Sequence, residues 1–306
     1  NSNVFLIGEE VGEYEGAYKV SQGLLAEFGS KRIVDTPITE AGFTGLSIGA
    51  AMGGLSPIVE FMTWNFAFQA MDQIINSAAK TFYMSGGSVN IPIVFRGPNG
   101  SASQVAAQHS HDLSSIFTNI PGLIVIAPYD SADAKGLLKS AIREPNPVIF
   151  LENEILYNET FEVPEINYVT PIGKALIKRP GKDITLVSCS RGVETALGAS
   201  DILGKNNISA EVIDLRSLRP LDFDTIINSV KKTNRIISIE EGWLSCGIGS
   251  EIISTIASKA FDYLDAPPER ISAEDVPLPY AKNLENLSLP NKESVAKICM
   301  HHLKNN

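Results

Sequence analysis

Short apolar runs alternate with longer segments of helical periodicity along nearly the whole chain. In the first half the apolar runs fall at residues 4–8, 33–36, 57–61, 92–96, 123–127 and 147–151. In the second half they fall at residues 184–188, 210–215, 235–239 and 270–273. Strands that alternate with helices form βαβ units, in which the strands are parallel. The sequence therefore predicts an α/β fold built on parallel sheets.

The segments between these runs predict helices, because their apolar residues recur at helical spacing. We expect helices near residues 41–52, 66–83, 131–143, 192–205, 222–231, 247–261 and 291–303. The chain has 306 residues, more than the roughly 100–200 of a typical domain, so two domains are expected. The alternation stops over residues 157–183, which contain three prolines. We therefore predict a first domain at 1–156, a linker at 157–183 and a smaller α/β domain at 184–306.

Charge and hydropathy exclude two classes of partner. The net charge of -10 argues against nucleic acid and anionic membranes, which bind clustered Lys and Arg. The apolar runs are far shorter than the ~20 residues that cross a bilayer, so no membrane association is expected. The three cysteines are widely spaced and indicate neither a disulfide framework nor a zinc site. The chain begins at Asn1 without a start Met or a charged leader, so we expect residues upstream of it.

Motifs of the common self-contained sites are absent from the sequence, which has no phosphate loop, dinucleotide fingerprint, nucleophile elbow or HExxH helix. Polar residues instead follow the predicted strands, where open α/β sheets bind ligands. Glu40 begins a small-residue helix, either as an ordinary charge on the helix dipole or as a carboxylate that binds a ligand nitrogen. Segment 60–69 holds four aromatics, which suit a core or the wall of a flat heterocycle. Segment 96–112 is a Gly-containing loop with His109 and His111, either structural or functional.

Taken together and in order, these segments resemble the beta subunits of pyruvate dehydrogenase, a thiamine-diphosphate-dependent family within the transketolase-like superfamily. The resemblance covers essentially all 306 residues. It is carried by the segments at 8–10, 16–21, 32–38, 72–80, 83–87, 105–110, 151–154, 216–220 and 275–282. It implies a pyrimidine-binding domain, followed by a transketolase C-terminal-like domain from about residue 173.

The resemblance also implies the roles of several residues. Glu40 matches the catalytic glutamate, which binds a ring nitrogen of the aminopyrimidine and controls its tautomer. Phe66 matches the aromatic beside the pyrimidine, and Gln69 is a further candidate for the same wall. His109 matches a histidine near the substrate, which could assist transfer to the lipoyl group. His111 departs from the expected pattern, so it is either a spectator or shares the proton transfers.

Metals and partners follow from the same resemblance. Main-chain oxygens of Ile93, Ala141, Ile142, Glu144 and Asn146 match a potassium site. The Gly-Asp-Gly motif that holds magnesium and the diphosphate is absent from the sequence, so these are expected on an alpha subunit. That implies a heterotetramer of two alpha and two beta chains, with the C-terminal domain used for assembly and for docking a dihydrolipoyl acyltransferase core. Bacterial cytoplasm and mitochondrial matrix fit equally well.

Three alternatives stay open at this point. The beta subunit of a branched-chain 2-oxoacid dehydrogenase shares the fold and the glutamate, although residues 16–20 and 61–63 look more like the pyruvate enzyme. A non-catalytic scaffold that docks a dehydrogenase to its core is a second alternative, against which Glu40 and His109 argue. A fragment of a one-chain transketolase-like enzyme is the third.

Overall fold

The computed structural model describes residues 1–304, which form two sheets with helices packed against them. In chain order the strands are β1 (Val4–Gly8), β2 (Ile33–Asp35), β3 (Ser56–Glu60), β4 (Val94–Pro98), β5 (Ile124–Ile126), β6 (Val148–Glu152), β7 (Leu176–Arg179), β8 (Ile184–Ser188), β9 (Ala210–Asp214), β10 (Ser217–Arg219), β11 (Ile236–Trp243) and β12 (Glu269–Ala273). The α-helices are α1 (Leu24–Phe28), α2 (Glu40–Met52), α3 (Ala79–Met84), α4 (Ser114–Thr118), α5 (Ser131–Ala141), α6 (Gly192–Gly204), α7 (Phe223–Thr233), α8 (Ile248–Lys259), α9 (Lys282–Ser288) and α10 (Lys292–Lys304).

The first sheet of the described chain runs in the order β10-β5-β6-β4-β3-β1-β2. Its strands are parallel except β10, which pairs antiparallel with β5 so that Ser217 lies opposite Ile126. The second sheet runs in the order β12-β11-β8-β9-β7 and is parallel except for β7. The predicted two-domain α/β fold with parallel sheets is confirmed.

Two short strands did not emerge from the sequence pattern. β10 belongs to the second half of the chain yet hydrogen-bonds to the first sheet, and β7 lies inside the range 157–183 but joins the second sheet. Both are edge strands of three or four residues, too short to show an alternating pattern. The exact domain boundaries stay a prediction.

The predicted helix 66–83 follows one helical path with three geometries. A 3₁₀ segment at Trp64–Ala70 begins after Thr63, and a π segment at Gln73–Ala78 precedes α3. Trp64 is fully buried, packs edge-on against Phe117 with ring centroids 4.9 Å apart, and donates a hydrogen bond to the Phe150 carbonyl. The π geometry departs from the simple period on which the prediction rested.

Burial of the central strands explains why the sequence predicted them well. β6 and β8 are buried along their whole length, as parallel strands covered on both faces should be. None of the helices within residues 1–304 combines the length and the hydropathy needed to span a membrane. The carboxyl ends of β1, β3, β4 and β6 lie at one edge of the first sheet, where the candidate site residues are located.

Candidate active site

Glu40 is the first residue of α2 and is 8% exposed, although it lies at a helix start where solvent access is common. Within residues 1–304, no side chain or backbone N–H donates a hydrogen bond to its carboxylate. An ordinary charge on a helix dipole would be solvated. A largely buried carboxylate that accepts no hydrogen bond from its own chain can accept one from a bound group.

A second carboxyl lies close to the first. Glu9 follows β1, is 8% exposed, and its Oε1 has no hydrogen-bond partner. Burial raises the pKa of Glu9, and the charge of Glu40 raises it further. Two acidic side chains thus lie side by side in a largely buried place. The pair therefore suits a ligand that presents a nitrogen-bound hydrogen.

Phe66 and His109 come together although 43 positions separate them. Their ring centroids are 5.4 Å apart at 84°, an edge-on contact. Phe66 is half-buried and His109 is exposed, so the pair forms one wall that opens to solvent. Gln69, the other predicted wall residue, is also exposed. The structure thus joins two of the predicted residues and leaves Gln69 at the surface.

His111 belongs to a neighbouring aromatic group. It packs edge-on against Phe68 at 5.8 Å and against Trp243 at 5.7 Å between ring centroids. Trp243 ends β11 in the second domain and was not among the candidate residues. The available signal was an aromatic residue just beyond a predicted strand, the same feature that marked segment 60–69.

Residues 99–112 form a loop that we name the histidine loop. The backbone N–H of Gly100 donates to the His111 carbonyl at 3.0 Å, which closes the loop on itself. The N–H of His111 donates to Oδ1 of Asn65 at 2.9 Å, and the N–H of Leu113 donates to Oδ1 of Asn99 at 2.9 Å. These contacts tie both ends of the loop to the carboxyl edge of the sheet.

A buried ion cluster lies at the same edge. Arg96, in β4, pairs with Glu60 at the end of β3 and with Glu152 at the end of β6, and Tyr157 donates to Glu152. Burial raises the pKa of Glu60, although the charge of Arg96 lowers it in part. Each charge has a hydrogen-bonded partner, as buried charges require. The cluster fixes three adjacent strand ends, and sequence reasoning did not find it.

Further carboxyls face the histidine loop from the second domain. Ser101 donates to Oε1 of Glu241 at 3.2 Å, and Arg191 pairs with the same oxygen at 3.2 Å. Burial raises the pKa of Glu240 to about 7, and the charge of Asp112 contributes to this increase. The site edge of the first sheet is therefore covered by polar groups of the second domain.

The residues matched to a potassium site gather at the opposite edge of the sheet. The N–H of Val148 donates to the Ile93 carbonyl at 2.9 Å, and Nδ2 of Asn146 donates to Oε1 of Glu144 at 2.7 Å. α5 ends at Ala141, so its last carbonyls point toward this region and suit a cation. Across residues 1–304, no group of three or more His, Cys, Asp or Glu is arranged to hold a metal. The carbonyls of Ile93 and Ala141 already accept hydrogen bonds, the second from the N–H of Glu144 at 3.1 Å, so the potassium site stays a prediction.

Comparison with known proteins agrees with this architecture. The family described as the transketolase pyrimidine binding domain matches residues 1–160, and the family described as the transketolase C-terminal domain matches residues 173–295. A solved structure titled split gene transketolase, inactive beta4 tetramer, has a TM-score of 0.79 at 20% identity and covers 99% of this chain and 92% of that one. At this identity the likeness concerns the fold alone.

Three relatives are much more similar in sequence, and each is named as a pyruvate dehydrogenase E1 component subunit beta. The Rickettsia felis protein is 58% identical over 98% of this chain and 94% of its own length. The Rhizobium meliloti protein is 61% identical over 96% of this chain and 64% of its own length. The mitochondrial beta-2 protein of Oryza sativa subsp. japonica is 57% identical over 96% of this chain and 80% of its own length. The chain therefore belongs to the family of pyruvate dehydrogenase E1 component beta subunits.

Proposed function

We propose that this chain supplies the aminopyrimidine half of a thiamine diphosphate site, which an alpha subunit completes, in the enzyme that oxidatively decarboxylates pyruvate and acetylates a lipoyl group. The observation that carries the proposal is the buried carboxylate of Glu40, which has no donor within residues 1–304 and lies beside Glu9. When bound, the cofactor supplies a thiazolium ring that accepts the electrons released on decarboxylation.

The side chains of this chain have separate tasks in that proposal. Glu40 accepts a hydrogen bond from a ring nitrogen and so controls where the pyrimidine carries its proton. Glu9 places a second carboxyl beside Glu40, and burial together with the charge of Glu40 raises the pKa of Glu9. Phe66 presents a flat apolar wall, and His109, in contact with it, is exposed and can exchange a proton with substrate. Gln69, which is exposed three positions after Phe66, remains a further proposed residue of this wall.

An exposed apolar surface supports a protein partner. Ile38, Leu46, Tyr83 and Met84 lie on or beside α2 and α3, and their exposed fractions run from 61% to 88%. Large exposed apolar side chains on one face commonly belong to a protein interface when they form a patch. Because the sequence has no Gly-Asp-Gly motif, we assign this surface to an alpha subunit that brings magnesium and the diphosphate contacts. The assembly is a heterotetramer of two alpha and two beta chains.

Other parts of the proposal rest on the family relationship. The potassium ion binds main-chain oxygens at residues 93 and 141–146, and the second domain docks the acyltransferase core. The names of the relatives favour pyruvate over a branched-chain substrate. Since these relatives include bacterial and mitochondrial proteins, both the bacterial cytoplasm and the mitochondrial matrix remain proposed compartments.

The test compares pyruvate decarboxylation by this chain with and without a cognate alpha subunit, using magnesium and thiamine diphosphate. We expect activity only in the mixture, and pyruvate should be preferred over a branched-chain oxoacid. Turnover by the chain alone would contradict the composite site, and preference for the branched substrate would move the chain to that enzyme.

Substitution of Glu40 tests the residue itself. Glu40→Gln should lower turnover of the mixture at least about a hundredfold, because the neutral amide cannot hold a proton at the ring nitrogen. Glu251→Gln is the matched control, since Glu251 is an exposed glutamate in the first turn of α8 and should have no effect. Unchanged turnover in Glu40→Gln would support the scaffold alternative.

A further inference from the structure

The second domain reaches into the histidine loop at several points. Glu241 accepts a hydrogen bond from Ser101 at 3.2 Å, and Oε1 of Glu285 accepts one from the N–H of Gln104 at 3.0 Å. Trp243 contacts the ring of His111 at 5.7 Å. These three residues come from β11 and α9, elements that are remote in sequence from the loop. The loop that carries both histidines is thus bounded on one side by the second domain.

The histidine loop needs such external contacts because two of its residues have an unfavourable backbone conformation. Gln104 and Ala106 have φ values of 58° and 63°, in the left-handed region that residues with a Cβ seldom adopt. Backbone in this region persists only where the surroundings over-determine it. Glu285 is 7% exposed, and its carboxylate binds the N–H of one of these two residues. The second domain therefore stabilises the conformation of the loop that the first domain carries.

Trp243 is itself held at its other end. Its indole Nε1–H donates to the carbonyl of Val276 at 3.0 Å, which fixes the plane of the ring. Phe68 contacts the same imidazole at 5.8 Å, so His111 touches an aromatic ring from each domain. Only Ser110 separates His111 from His109 in the chain. A displacement of the indole would consequently move the histidine pair.

We propose that Trp243 and Glu285 are positioning residues, through which the second domain sets the placement of His109 and His111 at the active site. This role rests on the proposed function and deepens it, because the second domain then contributes to the chemistry as well as to assembly. Neither residue needs to touch substrate. Their effect passes through the histidine loop, whose placement determines whether His109 can reach the reacting group.

The first experiment follows the histidine rings in the full chain without an alpha subunit. The chain has four histidines, and labelling their rings with ¹³C gives four NMR signals. Trp243→Leu should shift the His111 signal, because the indole ring current is removed, and should shift His109 as the loop moves. Trp243→Phe should retain most of the original pattern. Phe261→Leu is the control, since Phe261 is 70% exposed in the second domain and far from the loop in sequence.

The second experiment measures turnover of pyruvate by the assembled enzyme. Trp243→Leu and Glu285→Ala should each lower kcat by about tenfold or more with KM nearly unchanged, while Trp243→Phe restores most of kcat. Histidine signals and kcat that stay unchanged in both variants would overturn the proposal. If Trp243→Leu does not fold, the Glu285→Ala variant alone tests the proposal. A wild-type enzyme that fails with pyruvate refutes the proposed function alone, because the NMR result does not depend on turnover.

Discussion

Glu240 offers a quantitative test of the electrostatics between the two domains. It is 8% exposed beside the start of α8, and Gly249 donates a backbone hydrogen bond to its Oε1 at 3.2 Å. Burial raises the pKa of Glu240 from 4.5 to about 7, and the nearby charge of Asp112 acts in the same direction. Backbone hydrogen bonds from Gly249 and Ile248 and the charge of Arg270 oppose these effects only in part. The perturbation is Glu240→Gln, which is neutral at every pH.

The direction of the effect follows from proton binding. A carboxyl with a higher pKa in the folded chain keeps its proton over a pH range in which the unfolded chain has lost it. Its contribution to stability is therefore complete below about pH 4.5 and is lost as the pH rises through about 7. The pKa difference of 7 − 4.5 = 2.5, at about 1.4 kcal/mol for each pKa unit, corresponds to about 3.5 kcal/mol over the whole pH range.

The assay is denaturant unfolding of the wild-type chain and the variant at about pH 5 and about pH 8. We expect the free energy of unfolding of the wild type to fall between these values by about 2.5 kcal/mol more than that of Glu240→Gln, because part of the effect is already lost at about pH 5. Glu251→Gln, in the neighbouring helix α8 and exposed, should behave as the wild type does. Equal pH dependence in the wild type and Glu240→Gln would refute the reasoning, because the carboxyl would then titrate alike in both states.

Two further predictions concern stability. Arg96→Met leaves two buried carboxylates without their cation. It should therefore lower the free energy of unfolding, measured by denaturation, by about 3–5 kcal/mol. A loss below about 1 kcal/mol would contradict the buried ion cluster. Gly122→Ala should destabilise the chain more than Gly29→Ala. Both glycines have positive φ, but an added Cβ at Gly122 would lie 2.0 Å from the Ala79 carbonyl oxygen, whereas a Cβ at Gly29 would meet open space. Equal melting temperatures would show that the backbone at Gly122 relaxes freely.

The fold was predictable where buried strands form continuous apolar runs in the sequence. β1, β6 and β8 were placed within a residue of their observed ends, because a parallel strand covered on both faces reads as a continuous apolar run. β10 was not predicted, since its three residues form a strand only through pairing with β5, which lies about 90 residues earlier in the chain. Long-range pairing of this kind has no signature in a short segment.

The site was predictable to a similar extent. Polar residues beyond strand ends, together with the family resemblance, singled out Glu40, Phe66 and His109, and the structure brings the latter two into contact. Glu9 and Trp243 were missed because their importance depends on neighbours that only folding brings near. A glutamate after a strand and a tryptophan after another are unremarkable until the carboxyl or imidazole beside them is known.

The pairing of β10 with β5 also limits how the second domain can act. β10 is hydrogen-bonded into the first sheet, and it is continuous in the chain with the second domain, so the two domains cannot separate without breaking this ladder. Contacts such as that between Trp243 and His111 are therefore formed when the chain folds and do not await a domain closure. If the proposed function holds, the histidine side of the site is set within this chain, whereas the Glu40 side, which accepts no hydrogen bond within residues 1–304, is the side left for the proposed ligand and partner.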